Sequence, residues 1–333
     1  MSELMPNDIV SIARKLQRAA EEMDNRALKQ LIDGYGAMYK RLLPRIDALM
    51  LKLSSIENPT QYQIRQLAQY KELIREINKE LTRFQSYAGV VMQTSSEEAI
   101  KTGILNAKTL TYAGYPAAIA RWNTLNPNVI ETLLGYFSDG SALMKRLDKL
   151  AVTNALNVSQ TILDSVALGK NPKVIARLIQ NSLGGGLTDA LRMCRTVQLY
   201  SYREANRLSY KANSDVVRGW YWMSALDANS CMSCIAMHGT FHTNDETLND
   251  HHNGMCAMLP AVIGAPNPLG SDTAGQDWFN GLSADEQKRY MGAGKFEAWQ
   301  AGKFDLSQLS SIRPDDVYGD MRTEATLKDL IGE

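Results

Sequence analysis

"VVRGWYWMSALDANSCMSC", residues 216–234, is where this 333-residue chain changes character. Before it, apolar residues recur at spacings of three and four, as amphipathic helices require. From Val216 the run is β-branched and aromatic, which fits a strand better than a helix turn. Alternation along a strand puts Trp220 and Trp222 on one face and Tyr221 on the other. Two tryptophans on one face read first as core and second as a stacking platform for bases. The stretch ends in Cys231-x-x-Cys234, and that pair opens the question of metal.

Residues 231–256, "CMSCIAMHGTFHTNDETLNDHHNGMC", hold all four histidines and three of the four cysteines. Zinc takes four N or S ligands in a tetrahedron at about 2.0–2.3 Å. Two intervening residues let both thiolates of Cys231 and Cys234 point at one ion. The second half of such a site falls in "DHHNGMC", from His251 or His252 together with Cys256. With His251 the spacing is Cys-x2-Cys-x16-His-x4-Cys. A Cys3His set leaves no open position, so the ion expected is structural zinc. The alternative is a loop without metal. His238 and His242 flank Gly239 and Thr240 and read as a hairpin with exposed histidines. Cys194, in mid-helix, reads as a small buried residue.

Upstream the chain reads as helix. Asn7 or Asp8 is placed to cap a helix carrying Ile9, Ile12, Ala13, Leu16 and Ala20, and the stripe continues to Leu42, with a kink or restart expected at Pro44. "ENPT" at 57–60 is a break. Ile64, Leu67, Ile74, Ile77, Leu81 and Phe84 then predict an antiparallel partner helix or short coiled coil. "SSEE" at 95–98 reads as a capping box opening a new helix. "NPN" at 126–128 and "DGS" at 139–141 are further breaks. Residues 142–169 predict one helix, and Asn171 with Pro172 opens the next. "GGG" at 184–186 reads as a hinge, with Thr188 capping a helix to about Ala212. Beyond residue 264 the chain is rich in Gly, Pro and Asp, with short helices expected near 283–302 and 323–331. The expected fold is therefore mainly α: a long helical hairpin or arm over 1–135, then an α+β domain over 136–333. That domain would comprise long helices over 142–212, a small zinc-knuckle-like β element over 216–262 and an acidic helical tail over 271–333.

Composition narrows the function. No run of about 18 apolar residues occurs, so no membrane partner is expected. The N-terminus lacks a basic region followed by an apolar stretch, so no secretory signal is expected. Clustered cysteines fit metal binding in a reducing compartment better than a disulfide framework. The 36 basic and 36 acidic side chains cancel, but unevenly. Residues 140–220 hold 12 basic and 5 acidic, residues 221–333 hold 7 and 16. The basic segment either faces nucleic acid or an acidic protein surface, or packs near the acidic tail. No His-x-Glu with Pro-Cys-x-x-Cys and no His-Glu-x-x-His occurs, which removes the zinc deaminase and metalloprotease patterns. "DHH" beside a CxxC is shared with HNH endonucleases, but His252 is the last histidine, so their final ligand is missing. No catalytic residue is assigned, and the chain is not expected to be an enzyme. The alternative is a metal-dependent nuclease or DNA-acting enzyme using the 231–256 cluster.

Several motifs fall in one order: a helix with "CRTVQLYSYREANRLSYKAN" (194–213), the strand "GWYWMSALD" (219–227), Asp227 ahead of Cys231 and Cys234, Gly239, "HHNGMC" (251–256) and the tail "DWFNGLSADEQKRYMGAGKFEAWQAGKFDLSQL" (277–309). In this series, over residues 175–310, the chain resembles the Mu F-like phage head morphogenesis proteins, also called minor head or minor capsid proteins. On that match His251 and Cys256 take the places of the family's His and final Cys. His252 stands where Pro is usual, Gly254 where a first Cys is usual and Met255 where Arg is usual. The resemblance implies a virion component that acts in head assembly at the portal vertex or inner capsid. It implies the portal protein or major capsid protein as partner, and packaged double-stranded DNA as a further contact. It places the protein in the phage head, and in the host cytoplasm during assembly.

Overall fold

The helical stripes form the helices they predict, with fewer interruptions than the punctuation residues suggest. The structure, a computed structural model, describes residues 6–332. Helix α1 (Pro6–Ser54) carries its stripe through Pro44 without a break. The ring removes one backbone hydrogen bond, but Leu42, Ile46 and Leu49 are buried on either side of it and hold the helix in place. The cap expected of Asn7 or Asp8 falls on side chains outside the described residues. The "ENPT" break is real. Thr60 accepts the Gln63 N–H and the Gln63 side chain accepts the Thr60 N–H, a reciprocal cap for α2 (Gln61–Gln66).

Helix α3 (Ala68–Gly114) runs straight through "SSEE". Ser95 Oγ donates to the Met92 carbonyl inside the helix at 3.0 Å rather than capping a new one. Met92, Ala99 and Ile100 keep the buried stripe continuous across the serines, so packing overrides the local cap signal. After α4 (Pro127–Leu134), Ser141 caps α5 (Ala142–Ala167) by accepting the Met144 N–H. Asn171 accepts the Lys173 N–H at the start of α6 (Pro172–Lys211), as its sequence predicts. The hinge expected at 184–186 is absent: α6 is unbroken there. A Cβ on Gly186 would stand 2.2 Å from Nδ2 of Asn154 in α5, so this glycine serves close helix packing. Thr188, read as a cap, donates to the Gly184 carbonyl within the helix.

The chain groups into two compact units: residues 1–23, 96–134 and 196–333 in one, residues 24–95 and 135–195 in the other. Each takes chain from both sides of residue 135, where the sequence reading divides it. The reason is that α1, α3 and α6 are long enough for each to contribute to both units. The second unit is a helical bundle. Contacts of Gln30 with Tyr87, Tyr35 with Phe84, Arg41 with Glu80 and Arg45 with Glu72 set α1 antiparallel to α3. Tyr35 meets Phe84 edge-on at 4.7 Å and its hydroxyl donates to the Leu183 carbonyl.

In the first unit, α3 and α6 approach so closely that a Cβ on Gly103 would lie 2.5 Å from the Tyr202 carbonyl oxygen. Strand β1 (Val217–Met223) follows, then α7 (Met232–Met237), β2 (Phe241–Thr243) and β3 (Ala257–Val262). β1 is central and antiparallel to both partners, in the order β2-β1-β3. Trp220 and Trp222 share one face and one apolar cluster with Cys234, Leu248 and Cys256. Tyr221 and Met223 pack on the other side with Ile9, Ala13 and Leu110. Trp220 is 0% exposed, so the tryptophans are core and offer no platform for bases. Helices α8 (Ala274–Asn280), α9 (Ala284–Met291) and α10 (Ala293–Gln300) form a third cluster with the buried Met232 and Ile235 of α7. The hairpin of β4 (Ser310–Asp315) and β5 (Gly319–Glu324) precedes α11 (Leu327–Ile331). This hairpin has no counterpart in the sequence reading. β4 reads Ser-Ser-Ile-Arg-Pro-Asp and has no buried residue, so the alternation that marks a half-buried strand is missing. Among the described residues no helix is long and apolar enough to cross a membrane.

The glycines give opposite expectations. Gly103→Ala forces a methyl onto a backbone carbonyl and should lower the unfolding free energy by about 1–3 kcal/mol. Gly184 and Gly185 have nothing within 4 Å of an added Cβ. Their change to Ala should raise stability by about 0.5–1 kcal/mol each, because alanine is the better helix former. Denaturant melts of the three single variants check both signs.

Candidate metal centre

The knuckle is built by a helix start. Cys231 is the residue before α7, in extended conformation, and its Sγ accepts the Cys234 N–H at 3.4 Å. A cap residue and the residue three positions on face each other, which brings Sγ of Cys231 within 3.4 Å of Sγ of Cys234. The returning loop adds His251, whose Nε2 is 3.4 Å from Cys231 Sγ and 3.3 Å from Cys234 Sγ. A tetrahedral zinc site with ordinary bond lengths has ligand–ligand edges of about 3.6–3.8 Å. The three sides lie a few tenths of an ångström inside that, so these groups are within ligand distance of a common ion. Nδ1 of His251 lies 2.9 Å from the His252 carbonyl, which can only accept. That contact keeps the proton on Nδ1 and leaves Nε2 as the ligand atom.

The fourth expected ligand stands one step away. Cys256 groups with Cys234 and Asp250, their ligand atoms within 4.8 Å of one another, so Cys234 belongs to two overlapping triplets. His252, the other histidine of the pair, instead pairs with Asp315 at 3.2 Å. The sequence reading missed Asp250. Its Oδ1 lies 3.7 Å from Cys234 Sγ and 3.6 Å from His251 Nε2, and accepts the His251 N–H at 2.9 Å. Its Oδ2 accepts the Cys256 N–H at 3.1 Å and an Arg203 N–H at 3.2 Å. Asp250 therefore serves either as an oxygen ligand or as the carboxylate that orients the ligands around it. Its signal was present, as the acid directly before the histidine pair. Arg203 had none, being one of several arginines on a long helix. It also donates to the carbonyls of Gly254 at 2.7 Å and Cys256 at 2.9 Å. A Cβ on Gly254 would sit 2.1 Å from Asp250 Oδ2, so glycine is what lets the carboxylate in.

His238 and His242 are buried, against the expectation of exposed histidines. β2 pairs with β1 in the register Trp220↔His242, which stacks the imidazole on the indole at 4.4 Å. His238 closes α7, and its Nδ1 accepts the Ser224 N–H at 2.9 Å. Neither histidine belongs to a metal-competent group among the described residues. Cys194 is buried in α6 as expected, its thiol pushed up to about 12 by burial.

Charge in the knuckle is already sorted. The hydrogen bond from Cys234, with a further contribution from His251, pulls the Cys231 thiol down to about 5. The Cys231 thiolate in turn raises His251 to about 10. Cys234 is held protonated, chiefly by donating to that thiolate. At neutral pH the metal-free cluster is thus a thiolate–imidazolium pair with a thiol beside it. An incoming cation must displace the protons of His251 and Cys234.

Zinc uptake should therefore release at least two protons at neutral pH, and apparent affinity should rise by at least about 100-fold per pH unit between pH 6 and 8. Calorimetry in buffers of different ionisation enthalpy, with a competing chelator, reads both. Affinity independent of pH would contradict the ligand assignment. Asp250→Ala leaves Arg203 buried without its counter-charge and should cost about 3–5 kcal/mol in a denaturant melt.

Against known proteins, this chain matches no family model, no curated protein and no solved structure.

Proposed function

We propose that this chain is a structural protein of a tailed-phage head, acting in assembly at the portal vertex or inner capsid, with one zinc ion held by Cys231, Cys234, His251 and Cys256. The observation that carries the reading is the ordered series from the end of α6 through the tryptophan strand, the knuckle and the returning loop to the tail at 277–309. In space the same series forms one unit around one cluster of ligands. The ion acts as a staple between α7 and the loop, since a set closed by protein ligands leaves no position for water or substrate. Burial of His242 against Trp220 supports a role without turnover, because a hydrolytic histidine must reach its substrate. The partner on this reading is the portal protein or the major capsid protein, with packaged double-stranded DNA as a further contact. The site of action is the virion, after assembly in the host cytoplasm.

Elemental analysis of protein purified without chelator should find about one zinc per chain. The Cys231→Ala, Cys234→Ala double variant should lose the zinc and several kcal/mol of stability, since ion binding and folding are coupled. Density for the chain at the portal vertex in a virion reconstruction is the expected location. Plasmid incubated with the protein and magnesium, manganese or zinc should stay supercoiled. Metal-dependent nicking that disappears with His251→Ala would overturn the assembly reading in favour of a nuclease.

A further inference from the structure

One cleft in the molecule is lined by cations that the fold does not use. It has a volume of about 540 Å³ and lies between the start of α1, the end of α7 and the Pro268–Leu269 turn. Arg14, Lys15 and Arg18 line it from successive turns of α1, and among the described residues no carboxylate lines it. Among the described residues, none of the three makes an ion pair or a side-chain hydrogen bond. Surface arginines and lysines elsewhere in the chain commonly do, as Arg41 does with Glu80 and Lys211 with Asp245.

His238 lines the same cleft at 5% exposure. Its Nδ1 is occupied by the Ser224 N–H, which fixes the remaining proton on Nε2. Among the described residues Nε2–H has no partner, and it is the donor this side chain offers to the cleft. The backbone of His238 is fixed as well. Its N–H bonds to Cys234 and Ile235, and its carbonyl accepts the Gly275 N–H at 3.0 Å. A Cβ on Gly275 would come within 2.7 Å of His238 Cβ, so the imidazole is backed tightly by α8.

We propose that this cleft is a binding site for a small organic phosphate, with a terminal phosphomonoester held by Arg14, Arg18 and the Nε2–H of His238. Three positive charges around one fixed neutral donor match a dianion with three acceptor oxygens better than a carboxylate with two. A cleft of this volume exceeds a bare phosphate and is in the range of small-molecule pockets. Val10, Pro268 and Leu269 offer apolar wall to the rest of the ligand. The donor is nearly buried, so the group must enter end-on. A phosphodiester, flanked on both sides by sugar, cannot present itself that way. The site is separate from the metal centre and does not depend on the assembly reading.

Calorimetric titration of the purified full-length chain tests it with four probes: inorganic phosphate, phenyl phosphate, dimethyl phosphate and benzoate. Phenyl phosphate should bind best, inorganic phosphate more weakly, and the diester and carboxylate at least about tenfold more weakly than phenyl phosphate. Arg14→Gln with Arg18→Gln should weaken phenyl phosphate at least about tenfold without altering the circular dichroism, because both side chains are exposed. His238→Asn keeps an acceptor for the Ser224 N–H and removes Nε2–H, and should weaken binding in the same direction. If that buried change prevents folding, the arginine pair alone decides. No heat with either phosphate at concentrations that saturate a millimolar site would overturn the proposal. So would equal affinity for dimethyl phosphate, or binding untouched in the arginine variant. Displacement of phenyl phosphate by a DNA duplex with 5′-hydroxyl ends would overturn it in favour of a backbone-binding groove.

Discussion

Arg203 is 5% exposed, and three groups of the 250–256 loop converge on its guanidinium: Asp250 Oδ2, the Gly254 carbonyl and the Cys256 carbonyl. That loop has no ladder or helix to satisfy its backbone, so its buried carbonyls need donors from elsewhere. A planar guanidinium with several N–H groups in fixed directions supplies them from one side chain. Burying this charge is costly on its own, and Asp250, 2% exposed, compensates it. The same carboxylate reaches His251 and Cys256 through their backbone N–H groups. Ligand geometry therefore depends on an arginine that bonds the loop's carbonyls and Asp250 rather than a cysteine or histidine side chain. Arg203 in turn is placed by α6, whose approach to α3 requires Gly103.

The parts of the fold legible in the sequence are those where a pattern of several residues points one way. The stripes of α1 and α3, the Asn171–Pro172 start and the Trp220–Trp222 face are of that kind. The errors fall where a single short signal was set against long packing. Pro44, Ser95 and the glycines at 184–186 each carry a real local preference, and each sits in a helix whose buried stripe continues on both sides. At the site, two intervening residues have a direct geometric meaning, and the sulfurs of Cys231 and Cys234 do meet. Asp250 stands directly before the histidine pair, but its role, like that of Arg203, comes from a contact 47 residues apart. The hairpin of β4 and β5 was hidden because Met321 is the one buried residue of its two strands, too little to make an alternating pattern.

The uneven charge of the chain is partly resolved inside the first unit. Arg203 meets Asp250 and Lys211 meets Asp245, so the end of the basic segment does face the acidic one. Arg207 is held by Glu204 on its own helix and also donates to the Asn244 carbonyl. These pairs use positive charge for architecture. The cations at the start of α1 are different in kind, because among the described residues no acidic group pairs with them.

The interleaving of the two units sets an order for synthesis. Every residue of the 24–95 and 135–195 unit exists once position 195 has been made. The unit that carries the knuckle begins earlier, with the start of α1, yet cannot close until its strands and tail emerge far later. Its early helix must wait through most of translation with an apolar face uncovered, and its contacts span long stretches of chain. Such topologies fold slowly and expose surface while they do so. The all-helical unit has all of its residues first and is the part positioned to fold first on the ribosome, leaving the ligand-bearing unit to complete after it.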